Sequence, residues 1–254
     1  MRQQSLTTRT LGIVAIVSCL LLPGGKAEAA DNWEWTLVPF FWLADIGVDV
    51  VIDDTPVLGL DIKATDLIDK VEMVFSGRFE GRRGRGGFFV DLTYMSLSDS
   101  LTLPDGPSID ADLSQTLFEG GGFYRLKDES SGLDLLVGVR VFEIDSVMDI
   151  GLGDELTTVD STTTQVDGFI GLRYVGPIGK KWSYALRGDI GAGDTELSLN
   201  ALVGFGYEVG QTGKYSLVFG WRHLQFETEE TEGSTKVTSD MSLSGPGVGL
   251  QIKF

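Results

Sequence analysis

The sequence predicts an all-β chain whose strands close into an antiparallel barrel of ten strands, with eight or twelve as the alternatives, and three observations predict it. The last segment, Val248 to Phe254, places an apolar side chain at every second position and ends on an aromatic residue, the signature of a strand with one greasy face. The same alternation recurs upstream at regular spacing, while helical periodicity is nearly absent. A strand at the very end of the chain can bury such a face and pair both its edges only in a sheet closed on itself, so the repeated pattern reads as a barrel.

The third observation is the N-terminus. Arg2 and Arg9 precede an apolar run from Leu11 to Leu22, followed by Pro23-Gly24-Gly25 and the small-residue stretch Ala27-Glu28-Ala29-Ala30. This is the pattern of a secretory signal peptide over residues 1–29, which leaves 30–254 as a single domain. The run falls short of the ~20 apolar residues that a spanning helix needs. Ile16-Val17-Ser18-Cys19 loosely resembles a lipobox, but the leucines after Cys19 belong to the apolar run. Cleavage removes the only cysteine, so the mature chain is expected to hold no disulfide and no thiolate metal site. Removing Arg2, Arg9, Lys26 and Glu28 from 20 basic and 37 acidic residues leaves 17 against 36, a mature net charge of −19. That balance argues against nucleic acid as a partner. No cofactor-binding motif is read.

Taken in order, the first strand is Trp33 to Trp42, with Trp33, Trp35, Leu37, Pro39 and Phe41 on one face. Such aromatic crowding fits the girdle of a membrane barrel. Asp45 to Lys70 carries seven Asp, including Asp53-Asp54, and reads as a short hairpin extension plus a loop with a helical turn in Ala64 to Asp69. The clearest pair follows: Met73, Phe75, Gly77 and Phe79, the turn Arg82 to Gly86, then Phe88, Val90, Leu92 and Tyr94, which is a hairpin. A loop around Leu103 to Pro107 leads to the strand Asp112 to Leu126 with Phe118, Gly120, Gly122 and Tyr124 outward, and the turn Lys127 to Gly132 to Leu135, Val137, Val139 and Val141. An acidic loop is expected from Glu143 to Ser161. Gly168 to Tyr174, Trp182 to Ile190, Leu199 to Tyr207 and Tyr215 to Trp221 supply four further strands, and Glu227 to Gly233 loops back to the closing one. There Met241 and Leu243 stand on the opposite phase to Val248 onward, and a bulge at Gly245-Pro246-Gly247 is expected to reconcile them.

The faces opposite these outward residues carry charge. Arg78, Arg140, Arg173, Arg187 and Arg222 alternate inward together with Glu72, Glu80, Asp91, Glu119, Asp167 and Asp189. On a lipid-facing wall each would cost ~2–4 kcal/mol at mid-bilayer, so they belong to the lumen, where charges of both signs should pair into an ion-pair network. Basic residues cluster at the short turns, among them Arg82, Arg83, Arg85, Lys180, Lys181 and Lys214, while the long connections are acidic. Turn length puts the short turns in the periplasm and the acidic connections outside. Acidic loops beside anionic lipopolysaccharide would suit bridging divalent cations, but no EF-hand spacing is present, and a solvated acidic surface is the stronger explanation.

The run into C-terminal Phe254 resembles the closing strand of Gram-negative outer-membrane barrels, where that end serves as the assembly signal read by the barrel-assembly machinery. Trp-x-Trp with Pro39-Phe40-Phe41-Trp42, Gly77-Arg78-Phe79-Glu80-Gly81-Arg82 with Val90-Asp91-Leu92-Thr93-Tyr94, and Gly220-Trp221-Arg222-His223-Leu224 resemble uncharacterised small barrels of the porin-like, outer-membrane-protein-W-like superfamily. The resemblance covers the mature chain and implies a transmembrane fold and an outer-membrane location, but no catalytic residue. Outer-membrane lipid A deacylases, palmitoyl transferases and omptin-type proteases share the architecture and rest on a His with Ser or Asp partners. Here the single His223 alternates with inward Arg222 and is expected to face outward, so an enzyme ranks third. A structural or narrow small-solute barrel leads, and a surface-interaction protein acting through its acidic loops is the alternative.

Overall fold

The computed structural model describes residues 33–67, 70–102, 108–126, 132–152, 155–232 and 235–254. The expected signal peptide and the Leu103 to Pro107 loop lie outside them. The strands are β1 (Trp33–Trp42), β2 (Asp45–Ile52), β3 (Thr55–Ile62), β4 (Val71–Arg83), β5 (Gly86–Thr102), β6 (Ser108–Arg125), β7 (Gly132–Leu152), β8 (Glu155–Ile178), β9 (Trp182–Gly193), β10 (Leu197–Val209), β11 (Tyr215–Glu232) and β12 (Thr235–Lys253), with one helical turn, α1 (Ala64–Leu67). Ten form a closed antiparallel barrel in the order β1-β4-β5-β6-β7-β8-β9-β10-β11-β12, and β12 returns to β1. The ten-strand expectation holds, with β2 and β3 as an additional hairpin on the far half of β12.

Closure is divided along β12. Its last residues, Gly247 to Lys253, pair with β1, whereas Val237 to Ser244 pair with β2. The break therefore falls on the other side of the seam, at Leu43-Ala44, where Leu43 N donates to Pro246 O at 2.9 Å. The bulge expected at Gly245-Pro246-Gly247 is absent: β11 and β12 hold one register from Tyr215↔Ile252 to Glu232↔Thr235. The change of apolar phase is instead a change of environment. Val248 is exposed on the outer wall, and Leu243, on the other phase, is buried inside.

Two expected acidic loops are hairpins. β7 and β8 stay paired to Leu152↔Glu155, and β11 and β12 to Glu232↔Thr235. Threonines hold the first against its acids in directly opposed pairs: Thr158 Oγ1 donates to Asp149, Thr162 Oγ1 to Asp145, and Thr164 Oγ1 to Glu143 at 3.1 Å. Threonine's β-branched side chain suits a strand, and a cross-strand hydroxyl-to-carboxylate bond extends the ladder beyond the apolar zone. At 24 residues, β8 is more than twice the ~9–11 that cross a bilayer, so this hairpin projects well past the belt.

The outer wall carries exposed Phe41, Phe75, Val137, Ile170, Leu186, Leu217 and Val248, a continuous apolar belt far larger than a soluble surface tolerates. Aromatic rings gather toward the short-turn end, with Trp33 stacked on Trp35 at 5.2 Å, Tyr174 against Tyr184 at 5.6 Å and Trp182 against Tyr207 at 5.0 Å.

Candidate functional site: the lumen

The pleat sends alternate residues of every strand inward, and what meets there is layered. Toward the far end Trp42, Leu117, Phe142, Leu224, Phe226 and Leu243 form a buried apolar cluster, with Phe142 and Phe226 stacked at 4.9 Å. A second cluster, Phe89, Phe123, Leu136 and Phe169, lines the β5–β8 side. Inward glycines make room for its rings: a Cβ on Gly138 would stand 2.7 Å from Phe169 Cζ, and one on Gly121 would be 2.4 Å from Val137 O and 3.2 Å from Phe89 Cζ.

Charges occupy the middle. Arg140 Nε donates to Glu119 Oε1 at 2.8 Å, and its Nη2 also reaches Asp189. Arg187 joins the same two acids, Nε to Asp189 Oδ2 at 2.7 Å and Nη1 to Glu119 Oε2 at 3.0 Å. Arg222 Nε donates to Asn200 Oδ1 at 3.0 Å, and Asn200 Nδ2 to Asp189 Oδ2 at 2.7 Å. Nearer the short turns, Arg173 bonds Glu80 and Asp134, Arg125 Nε bonds Asp134 at 2.7 Å, and Arg78 stands 3.2 Å from Glu80 and 3.5 Å from Asp91. Every guanidinium in the middle also rests on a ring: Arg140 and Arg187 on Phe169, Arg173 on Phe123, Arg78 on Phe89 and Arg222 on Trp42. Cation and ring thus share the cost of leaving water.

Of the residues assigned to this network from sequence, Arg78, Glu80, Asp91, Glu119, Arg140, Arg173, Arg187, Asp189 and Arg222 come together in it. Asp167 points inward but gives its carboxylate to Thr195, accepting from its N at 3.1 Å and its Oγ1 at 2.7 Å. Glu72 falls at a register shift between Val71 and Met73 and is exposed, because a bulge frees the residue from strict alternation. Phe254 caps the closing strand as an exposed ring. Two charged participants were missed, Arg125 and Asp134, and the inward Ser198 and Asn200 join them, Ser198 Oγ accepting from Arg140 Nη1 at 3.2 Å. Asp134 sits on the inward phase of β7 that Arg140 defines, and the same alternation could have found it.

Five buried polar atoms have no hydrogen-bond partner among the described residues: Ser76 Oγ, Asp91 Oδ1, Thr93 Oγ1, Arg187 Nη2 and Arg222 Nη2. Arg222 Nη2 is 3.0 Å from Glu119 Oε1, close enough for an ion pair but out of hydrogen-bond alignment. Beside them lies a chamber of about 420 Å³ against β1 and β9–β12, bounded at the short-turn end by Glu34, Arg82, Arg125 and Lys253. His223 is half-buried on the outer wall, in a groove with Leu172, Tyr174, Leu186 and Trp221 that contains no Ser, Asp or Glu. Among the described residues no three His, Cys, Asp or Glu side chains group as metal ligands.

The fold defines a class: it is that of the Gram-negative outer-membrane β-barrels. No family model matches the chain, and no curated protein does. The structure is similar to the outer-membrane protease OmpT from Escherichia coli, with a TM-score of 0.55 at 9% identity over 91% of this chain and 100% of that one. It also matches the translocator domain of the autotransporter NalP from Neisseria meningitidis (TM-score 0.37, 10% identity, 96% of each chain) and Ail of Yersinia pestis (TM-score 0.36, 10% identity, 89% of this chain and 100% of that one).

Proposed function

We propose that this protein is an outer-membrane barrel with an occluded lumen, a stable scaffold that carries projecting acidic hairpins. The observation that carries this reading is the network from Arg78 to Arg222, which ties side chains of β4 through β11 together, with Arg140, Glu119 and Asp189 having no exposed side-chain surface. A barrel of eight to ten strands is only a little wider than its own side chains, so one charged layer and one apolar layer suffice to fill it. Location in the outer membrane, export by a cleaved leader, and partnership with lipopolysaccharide, divalent cations at the acidic surface and the assembly machinery belong to the same proposal. The lipid-suited belt and the terminal Phe254 support it.

A second reading is favoured by a specific observation: the acidic β7–β8 connection is a paired hairpin held by Thr–acid bonds, as a surface-interaction protein would need. Catalysis is the weakest reading: Ser244 stands directly across from His223 with its Oγ accepting from Trp221 Nε1 at 3.0 Å, and the groove around His223 is lined by no Asp or Glu.

Planar-bilayer recording tests the occlusion. Near-silence of the wild type is the expected result, and large steady conductance would refute it.

A further inference from the structure

The chamber below the ion-pair layer is built unlike the rest of the molecule. In a chain of formal charge −17, seven of the ten charged side chains lining it are basic. The partner carboxylates Glu119, Asp134 and Asp189 are fully buried behind those arginines and do not line it. Its ceiling is Trp42 with the Arg222 guanidinium 5.1 Å above the ring, and Val38, Phe40 and Leu202 supply apolar wall.

The decisive feature is that Arg222, 6% exposed, lines this space and commits only Nε, to Asn200, in a hydrogen bond, while Nη2 meets Glu119 as an ion pair and Nη1 stands 3.8 Å from Asp91 Oδ1. That loosely held Nη1 has donor capacity for an acceptor in the chamber; a carboxylate there would form charge-assisted bonds, the strongest kind available. The volume lies within the ~300–1,000 Å³ of ordinary small-molecule sites. We propose that the chamber binds a small organic carboxylate with an aromatic or short aliphatic body, its acid group on Arg222 and its body on the apolar wall, entering from the short-turn end.

The test uses the refolded full barrel in maltoside micelles, with 1-naphthoate as probe and calorimetry as readout. The expected result is saturable binding of 1-naphthoate at least tenfold tighter than that of neutral 1-naphthamide, and a loss of at least tenfold on Arg222→Gln. Should that variant fail to fold, Gly204→Leu carries the test: a Cβ there meets nothing closer than 3.6 Å, and the added side chain fills the chamber without touching the ion pairs. Equal binding by Gly204→Leu, equal binding of the amide, or no saturable binding by the wild type would overturn the site. Because occlusion is read as current and this site as heat, either can fail without the other.

Discussion

Trp35 and Phe254 exchange both backbone hydrogen bonds, Trp35 N to Phe254 O at 3.2 Å and Phe254 N to Trp35 O at 3.1 Å, so the last residue of the chain is a rung of the seam that closes the barrel. Its side chain contributes little to that closure, since the ring is 66% exposed. The backbone is thus structural and the ring is free to be recognised. Replacing Phe254 by Ala should leave refolding into detergent unchanged, read as unheated gel mobility, while lowering outer-membrane yield in cells several-fold. Deleting the residue should impair both, because the rung is lost.

Arg140 is the most enclosed cation of the network, 1% exposed. Truncating one partner of a buried pair leaves the others uncompensated and costs ~3–5 kcal/mol, more than replacing the pair by apolar groups. Arg140→Ala should therefore lower the urea midpoint markedly. Arg140→Met combined with Glu119→Gln should recover part of the loss, and a midpoint equal to wild type in the single variant would show that the network does not hold the barrel together.

The barrel was legible because lipid imposes period-two alternation on every spanning strand, and a charged residue such as Arg140 or Asp189 in that pattern has only the lumen to face. Alternation fails where the chain leaves the apolar belt. From Glu143 onward the apolar residues Ile144, Met148 and Ile150 leave the outward phase of Val139 and Val141 for the other one, and the hairpin is held by Thr–acid pairing that the period does not reveal. It also fails at Glu72, where one bulged residue escapes the count, and at Met241 and Leu243, whose apolar side chains signal an outer face but fill the inside. Partner choice was the least readable part. Nothing in the sequence gives Asp167 to Thr195 or Asn200 to Arg222, because the first depends on how the β9–β10 connection folds against β8 and the second on the register of β10 with β11.

Asp45, just beyond the belt, ties β2 to α1. Ala64 N donates to its Oδ1 at 2.8 Å and Lys63 Nζ reaches its Oδ2 at 3.2 Å, the backbone bond first and the ammonium second holding the carboxyl below its usual range. A depressed carboxylate contributes stability that is present above its unfolded pKa, about 4, and is lost as pH falls through the folded value. Lys63 is raised, chiefly by Asp61 and then by Asp45, so its share is complete below its unfolded pKa, about 10.4, and disappears as pH rises through the folded value. Exchange of the Ala64 amide, corrected for intrinsic rate, should thus stay slow through neutral pH and quicken only in strong acid. Asp45→Asn should remove the acid limb.

Orientation follows from strand length. The β4–β5 turn at Gly84-Arg85 and the β10–β11 connection near Gly210 are short, whereas β7–β8 and β11–β12 project. Epitope tags inserted between Leu152 and Glu155 or after Glu232 should be labelled on intact cells, and tags at Gly84 or Gly210 only after permeabilisation. The reverse pattern would put the acidic hairpins in the periplasm.

The two filling layers can be separated by which one stops ions. The charged layer binds eight strands together, but its polar groups could hydrate, and three orphaned atoms, Ser76 Oγ, Asp91 Oδ1 and Thr93 Oγ1, already stand on its β4–β5 wall. The apolar layer offers no such path: Phe142 and Phe226 are 3% and 2% exposed and stack face to face among Leu117, Leu224 and Leu243. An ion entering that space would shed its water for hydrocarbon, at a cost of many kcal/mol. Phe142→Ala with Phe226→Ala should therefore open a small steady conductance in planar bilayers while the barrel stays folded, and Arg140→Ala alone should give only brief openings. If Arg140→Ala conducts steadily while the double phenylalanine variant remains silent, the seal is ionic, and the apolar layer serves packing alone.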